Sequence, residues 1–186
     1  GRFLIPSGAP PETLIVSARG YRPLLIDTAG ARGGASVVRA PLEPLFGGVF
    51  RDRRIALDPA GGGTDAGGRG VAGLRGASVN LGVARLVSGV LERAGSAVTL
   101  TREGDEPLSA QERVYIVNRS NAELAIGIRH GSLPERAGGP RVVLHYAGSD
   151  RGRIVAEKLA SALDSLPPAG AFAVGEGADL FLQQTA

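Results

Sequence analysis

Arg54-Ile55-Ala56-Leu57-Asp58-Pro59-Ala60-Gly61-Gly62-Gly63-Thr64-Asp65-Ala66-Gly67 is the stretch whose reading decides the fold. Its first five residues make a short apolar strand, and the glycines that follow open a loop running through Gly76. Beyond the loop, Val79, Val83, Leu86, Val87, Val90 and Leu91 recur at helical spacing, which predicts one inward helical face over Val79 to Ala94, with Gly95 as the C-cap. Downstream, Ala97 to Leu100 reads as a strand. Ser109 followed by Glu112 reads as the capping box of a helix running to about Ser120. Leu124 to Ile128 and Val142 to Tyr146 read as further strands. Asp150 to Leu163 reads as a helix with Ile154, Val155, Leu159, Ala162 and Leu163 inward. This alternation predicts an α/β domain with a mainly parallel central sheet flanked by helices, whose sites lie beyond the carboxyl ends of the strands.

Working back toward the start, Thr13 to Ser17, Leu24 to Ile26 and Ser36 to Val38 read as short strands, and Gly20 to Pro23 as a turn. Gly1-Arg2-Phe3, with Leu14 through Pro23, resembles the last part of a carboxypeptidase regulatory-like β-sandwich without its opening strands. Pro41-Leu42-Glu43-Pro44 and Gly47-Gly48 punctuate without packing and read as a linker. The expected organisation is a partial β-rich accessory module and linker over residues 1–46, then the α/β domain over 54–186, incomplete at its C-terminal side.

Composition narrows the function classes. Hydrophobic residues at 43% and charged residues at 21% support a real core, and the 29 glycines cluster in loops without a fixed period. The net charge is only +3, Lys158 is the sole lysine and aromatics total 4%, so nucleic acid is not an expected partner. Zero cysteines exclude disulfides, thiol nucleophiles and cysteine zinc sites. No apolar run approaches the ~20 residues of a membrane span. Starting at Gly1, the chain reads as a piece of something longer whose signal peptide is not visible. No Gly-x-Ser-x-Gly elbow occurs, and the acids Asp105, Glu106 and Glu135 read as solvated surface.

The glycine loop lacks the Gly-Lys-Ser/Thr ending of a phosphate loop, so a nucleotide site is not expected; its glycines allow a positive-φ path, with Asp58 and Asp65 satisfying backbone amides. At Asp58-Pro59 and at Gly62-Gly63-x-Asp65-x-Gly67 it resembles the opening motif D-P-G-H-G-G-x-D-x-G of zinc-dependent N-acetylmuramoyl-L-alanine amidases, which cleave peptidoglycan between lactyl group and L-alanine. The resemblance continues at Gly73-Leu74-Arg75, Val79-Asn80-Leu81, Val98 to Arg102, Glu112 to Asn118 and Ala122 to Ile128.

The departures fall on the metal. Zinc needs about three convergent protein ligands with one position left open for water. The resemblance implies a histidine, a glutamate and a histidine where this chain has Gly61, Gly76 and Arg129. Two glycines have no donor, and a guanidinium opposes a dication, so no zinc cofactor is expected. Of the two histidines, His130 should face away from Arg129 unless the strand has already ended, and His145 reads as a side chain on one sheet face. The family's catalytic glutamate, on a strand near the domain's end, would follow Ala178 to Ala186, and Glu176 is too early to be it.

The expected function is therefore a non-catalytic peptidoglycan-binding or regulatory module, a pseudoenzyme on an amidase fold. Its expected place is extracytoplasmic, with muropeptides and other envelope proteins as partners. The alternative is an active amidase with a non-standard metal site or residues beyond Ala186. No catalytic or metal residue is assigned. Arg129, Asp65 and His130 are the expected ligand-binding residues, with Arg129 holding an anion where the family holds zinc or else pairing with Asp58 or Asp65.

Overall fold

The computed structural model describes residues 13–27, 39–130, 141–166 and 172–185. Gly1-Arg2-Phe3, the expected strand at Ser36 to Val38, Glu135 and Ala186 lie outside the described residues. Two compact units emerge, one holding residues up to Arg53 together with Ser88–Val98, the other Arg54–Val87 with Thr99 onward.

In the first unit, β1 (Thr13–Val16) pairs antiparallel with β2 (Leu24–Asp27), Thr13 opposite Asp27. The stretch read as a linker is packed: the amide of Arg22 donates to the Glu43 carbonyl, that of Leu45 donates to Gly20, and a short 3-10 helix covers Leu45–Gly48. Paired prolines remove amide donors, yet the flanking residues keep theirs and pair here. The end of α1 (Gly76–Arg93) also belongs to this unit. Ser96 N donates to Leu91 O and Gly95 N to Glu92 O, with Gly95 at φ +98°, which is the Schellman closure expected of a glycine C-cap. Arg19 adds a guanidinium to the carbonyls of Glu92 and Ser96, where a helix C-terminus favours a cation.

The second unit carries the α/β architecture. Strand β3 (Arg54–Pro59) lies between β4 (Ala97–Leu100) and β5 (Leu124–Ile128), and β3 runs parallel to β5 with Asp58 opposite Gly127. Ile55 through Pro59 are all buried, as a central strand covered on both faces requires. Strands β6 (Arg141–Tyr146) and β7 (Phe172–Gly177) form a second parallel pair with α3 (Asp150–Asp164) against it. The parallel sheet flanked by helices is as expected, but the described strands fall into separate groups instead of one central sheet. Helix α2 (Ala110–Arg119) begins with the expected capping box: Ser109 N donates to Glu112 Oε2 at 2.7 Å, and Glu112 N donates to Ser109 Oγ. Strand β7 and helix α4 (Leu180–Gln184), N-capped by Asp179, were not legible in the sequence. Phe181 of α4 packs with Ala56 and Val117 in the core.

Two helices are rotated from expectation. Helix α1 turns Ala77, Asn80, Leu81, Ala84, Ser88 and Leu91 inward and leaves Val83, Leu86 and Val90 exposed. Helix α3 buries Ala156 and Ala160 and leaves Ile154 and Leu159 open. The inward rows are rich in small residues, which let a helix axis approach its neighbours closely, and buried Asn80 has its amide hydrogen bonded. Among the described residues, no helix is long and apolar enough to cross a membrane.

Candidate functional site: the cleft at the end of β3 and β5

The cleft is built from the carboxyl end of β3. Asp58 is fully buried, and its Oδ1 accepts from Thr101 Oγ1 at 2.6 Å and from Arg113 Nη1 at 3.1 Å. The sequence reading had Asp58 serving loop amides; instead it anchors two side chains, because β3 is central and the carboxylate never reaches the loop. Oδ2 of Asp58 is buried without a hydrogen-bond partner. Asp65 does serve the loop: its Oδ1 accepts from Gly67 N at 2.9 Å. Gly61, Gly62 and Gly63 have φ of +82°, +129° and +57°, a path L side chains rarely follow.

Arginines bind this loop from beneath. Arg102 is buried and donates to the carbonyls of Pro59, Gly104 and Ala77, while Arg113 donates to Leu108 and Gly61. Burial, and next the charge of Arg113, pushes the Arg102 guanidinium below its ordinary pKa. Asp105 and Glu106 are exposed, as expected, and each is also bonded to the loop. Asp105 pairs with Arg75 at 2.8 Å and takes the Gly63 amide, and Glu106 takes the Gly104 amide, because the backbone donors of the tight loop need acceptors.

Arg129 stands just past β5, half exposed, with Nη1 3.4 Å from Asp179, Nη2 3.9 Å from Asp58 Oδ2 and its guanidinium 5.9 Å from the Phe181 ring centre. It pairs with Asp58 but not with Asp65. With Gly61, Asp65, Arg113, Asp179 and Phe181 it lines a cavity of about 250 Å3. A larger groove of about 1010 Å3 lies in the first unit beside Arg19, Tyr21 and Glu92, and none of the expected site residues lines it.

His130 follows Arg129 after β5 has ended at Ile128, so strand alternation does not fix its direction. Its Nδ1 lies 2.6 Å from Asn80 Oδ1. Asn80 Nδ2 donates to Ala60 O at 2.9 Å, so Oδ1 accepts, and His130 Nδ1 is its donor on an exposed ring. His145 is buried on β6, its Nδ1 3.0 Å from the Tyr146 carbonyl.

The three positions where the amidase pattern has ligands do not fit zinc. A Cβ at Gly61 would lie 2.7 Å from the Ala77 Cβ. One at Gly76 would lie 2.7 Å from Gly68 N and 3.0 Å from both Gly68 O and His130 O. The loop has closed onto the space side chains would need, and the third position carries the Arg129 cation. Among the described residues, no three His, Cys, Asp or Glu side chains are placed to hold a metal ion.

Fold and cleft together define an α/β domain with a cleft beyond the carboxyl ends of its central strands. Residues 55–175 match the family described as N-acetylmuramoyl-L-alanine amidase. The chain is 35% identical over 101 residues to the N-acetylmuramoyl-L-alanine amidase AmiA of Escherichia coli strain K12, covering 54% of this chain and 34% of that protein. AmiA of Salmonella typhimurium strain LT2 matches to the same extent, and the chain spans about a third of the length of these curated relatives. The structure of amidase AmiC2 of Nostoc punctiforme superposes with a TM-score of 0.66 at 27% identity, covering 72% of this chain and 74% of that one. The catalytic domain of CwlV from Bacillus (Paenibacillus) polymyxa var. colistinus gives 0.64 at 20% identity, over 72% and 75%, which supports the fold alone. This chain belongs to the N-acetylmuramoyl-L-alanine amidase family and has the amidase fold.

Arg102, Arg113, Asn80, Asp179 and Phe181 escaped the sequence reading as site residues. A signal existed for Arg113, a cation one position from apolar Val114 on a helix's inward row, and for Arg102, directly after a strand. No sequence signal joins Asp179 and Phe181 to a cleft some fifty positions earlier.

Proposed function

We propose that this domain binds peptidoglycan, or regulates other proteins acting on it, without hydrolysing it, in an extracytoplasmic setting. Ala77 packed against Gly61 and backbone packed against Gly76, where amidases of this pattern carry ligands, is the observation that carries the reading. Zinc-assisted hydrolysis needs a Lewis acid and an activated water, and nothing at these positions would hold them. Arg129, Asp65 and His130 are the ligand-binding residues in this proposal. A planar guanidinium can grip a stem-peptide carboxylate through two parallel hydrogen bonds. Its present ion pairs, at 3.4 and 3.9 Å, are longer than hydrogen bonds and leave its donors available.

Co-sedimentation with purified peptidoglycan, read beside muropeptide release and metal content after dialysis, tests the proposal. The expected result is binding, no release and no stoichiometric zinc. Zinc-dependent release of muropeptides would overturn it in favour of an active amidase with another metal set. Muropeptides, with envelope proteins as further partners, should bind Arg129→Ala more weakly than wild type in isothermal titration; equal affinity in both would remove Arg129 from the site.

A further inference from the structure

The charges around Arg129 say more about the ligand than the guanidinium does alone. Two carboxylates, Asp65 and Asp179, and two guanidiniums, Arg113 and Arg129, line the cleft, and the buried Asp58 lies behind the two arginines that it pairs with, so three acids stand against two cations, an excess of one negative charge. Widening the circle to Arg75 and Arg102 with Asp105 and Glu106 adds two of each sign and leaves the excess unchanged. A ligand bringing only a carboxylate would raise the excess to two, and like charges crowded at a partly desolvated site oppose one another. Resting on the peptidoglycan-binding reading above, we infer that the cleft takes a zwitterionic amino-acid centre, with carboxylate on Arg129 and ammonium between Asp65 and Asp179.

The acceptors for an ammonium are in place. Asp65 spends Oδ1 on the Gly67 amide, and its Oδ2 has no partner among the described residues. Asp179 uses Oδ1 to cap α4 at Leu182 N and turns Oδ2 to Arg129 across 3.4 Å. Beneath them, the unpartnered buried Oδ2 of Asp58 faces Arg129 at 3.9 Å and deepens the negative potential felt at the floor. A carboxylate arriving on Arg129 would draw the guanidinium off Asp179, freeing that acid for the ligand's own ammonium. The space of about 250 Å3 is smaller than a drug-sized pocket and matches one residue's head group, not a disaccharide.

Three peptides test this by isothermal titration: a stem-type peptide ending in a diamino acid with ammonium and carboxylate free at its second centre, the same peptide N-acetylated there, and the same peptide amidated there. Wild type should bind each blocked form about tenfold more weakly than the free one. The Asp65→Asn/Asp179→Asn protein keeps the Gly67 contact and the α4 cap, since asparagine supplies the same acceptor oxygen. It should no longer distinguish the free from the acetylated peptide while still rejecting the amidated one. If wild type sediments with peptidoglycan yet binds the acetylated peptide as tightly as the free one, or binds none of the three, the zwitterion site is overturned alone. If wild type does not sediment, the reading beneath it falls as well.

Discussion

Gly76→Ala is the smallest change that asks whether the ligand positions have closed. The added Cβ would meet Gly68 N at 2.7 Å and the carbonyl oxygens of Gly68 and His130 at 3.0 Å, and all three are backbone atoms. None can swing aside as a side-chain tip can. They also carry the bonds Gly76 N to Gly68 O and Gly68 N to His130 O, so making room stretches that pairing. Overpacking of this kind costs about 1–3 kcal/mol, and a weakened backbone hydrogen bond adds about 1, giving roughly 2–4 kcal/mol. At roughly 2–4 °C per kcal/mol for a chain of this length, the melting temperature should fall by roughly 4–16 °C. Circular dichroism melts of wild type and variant read this directly. Extending the change to Gly61→His/Gly76→Glu/Arg129→His, the restoration the sequence invites, adds a side chain at φ +82° against Ala77, another ~1–3 kcal/mol of strain. Residue type alone would let that triple variant gain zinc, since it supplies three donors without showing whether backbone has filled their space. The structure makes the metal-free variant marginal, and zinc at a thousand times its Kd would offset only about 4 kcal/mol. A Gly76→Ala protein melting within about 2 °C of wild type, or a triple variant with zinc more stable than wild type, would refute the closed loop.

Arg113→Met strips Asp58 of its hydrogen-bonded guanidinium, leaving only Arg129 at 3.9 Å, and should cost about 3–5 kcal/mol in urea unfolding, with Asp58→Asn recovering much of it in the double variant; additive losses would show the pair is uncoupled. Stability should also decline in acid through two exposed carboxyls. The hydrogen bond from Arg75 holds Asp105 below its ordinary pKa, and the Ser109 hydroxyl and amide do the same for Glu112. A depressed folded pKa contributes stability above the unfolded value that is lost as pH falls through the folded one, so the loss should begin below about pH 5 and deepen toward pH 2. Asp105→Asn/Glu112→Gln should flatten that slope, and an unchanged slope would assign it to other carboxyls.

Much of this protein is written locally. The capping box at Ser109 and Glu112, the glycine closure at Gly95 and the run from Arg54 to Asp58 each depend on neighbours within a few positions, so one sequence suffices to place them. The family is legible for a related reason: glycines needing positive φ and an aspartate in a fixed turn leave few substitutes, and Asp58, Gly62, Gly63, Asp65 and Gly67 keep the pattern. That Gly61, Gly76 and Arg129 supply no zinc donor also follows from residue type alone, since no conformation gives a glycine a coordinating side chain. Tertiary structure alone decided the rest. Which stripe of α1 faces inward depended on close approach and on Asn80 finding Ala60 and His130. Arg129 could be placed at a strand end by counting, but its partners Asp179 and Phe181 arrive from an element some fifty residues away. Electrostatics and packing act through space, so a contact between distant positions leaves no mark in the order of residues, and the charge balance of the cleft exists only once the chain has brought its acids together.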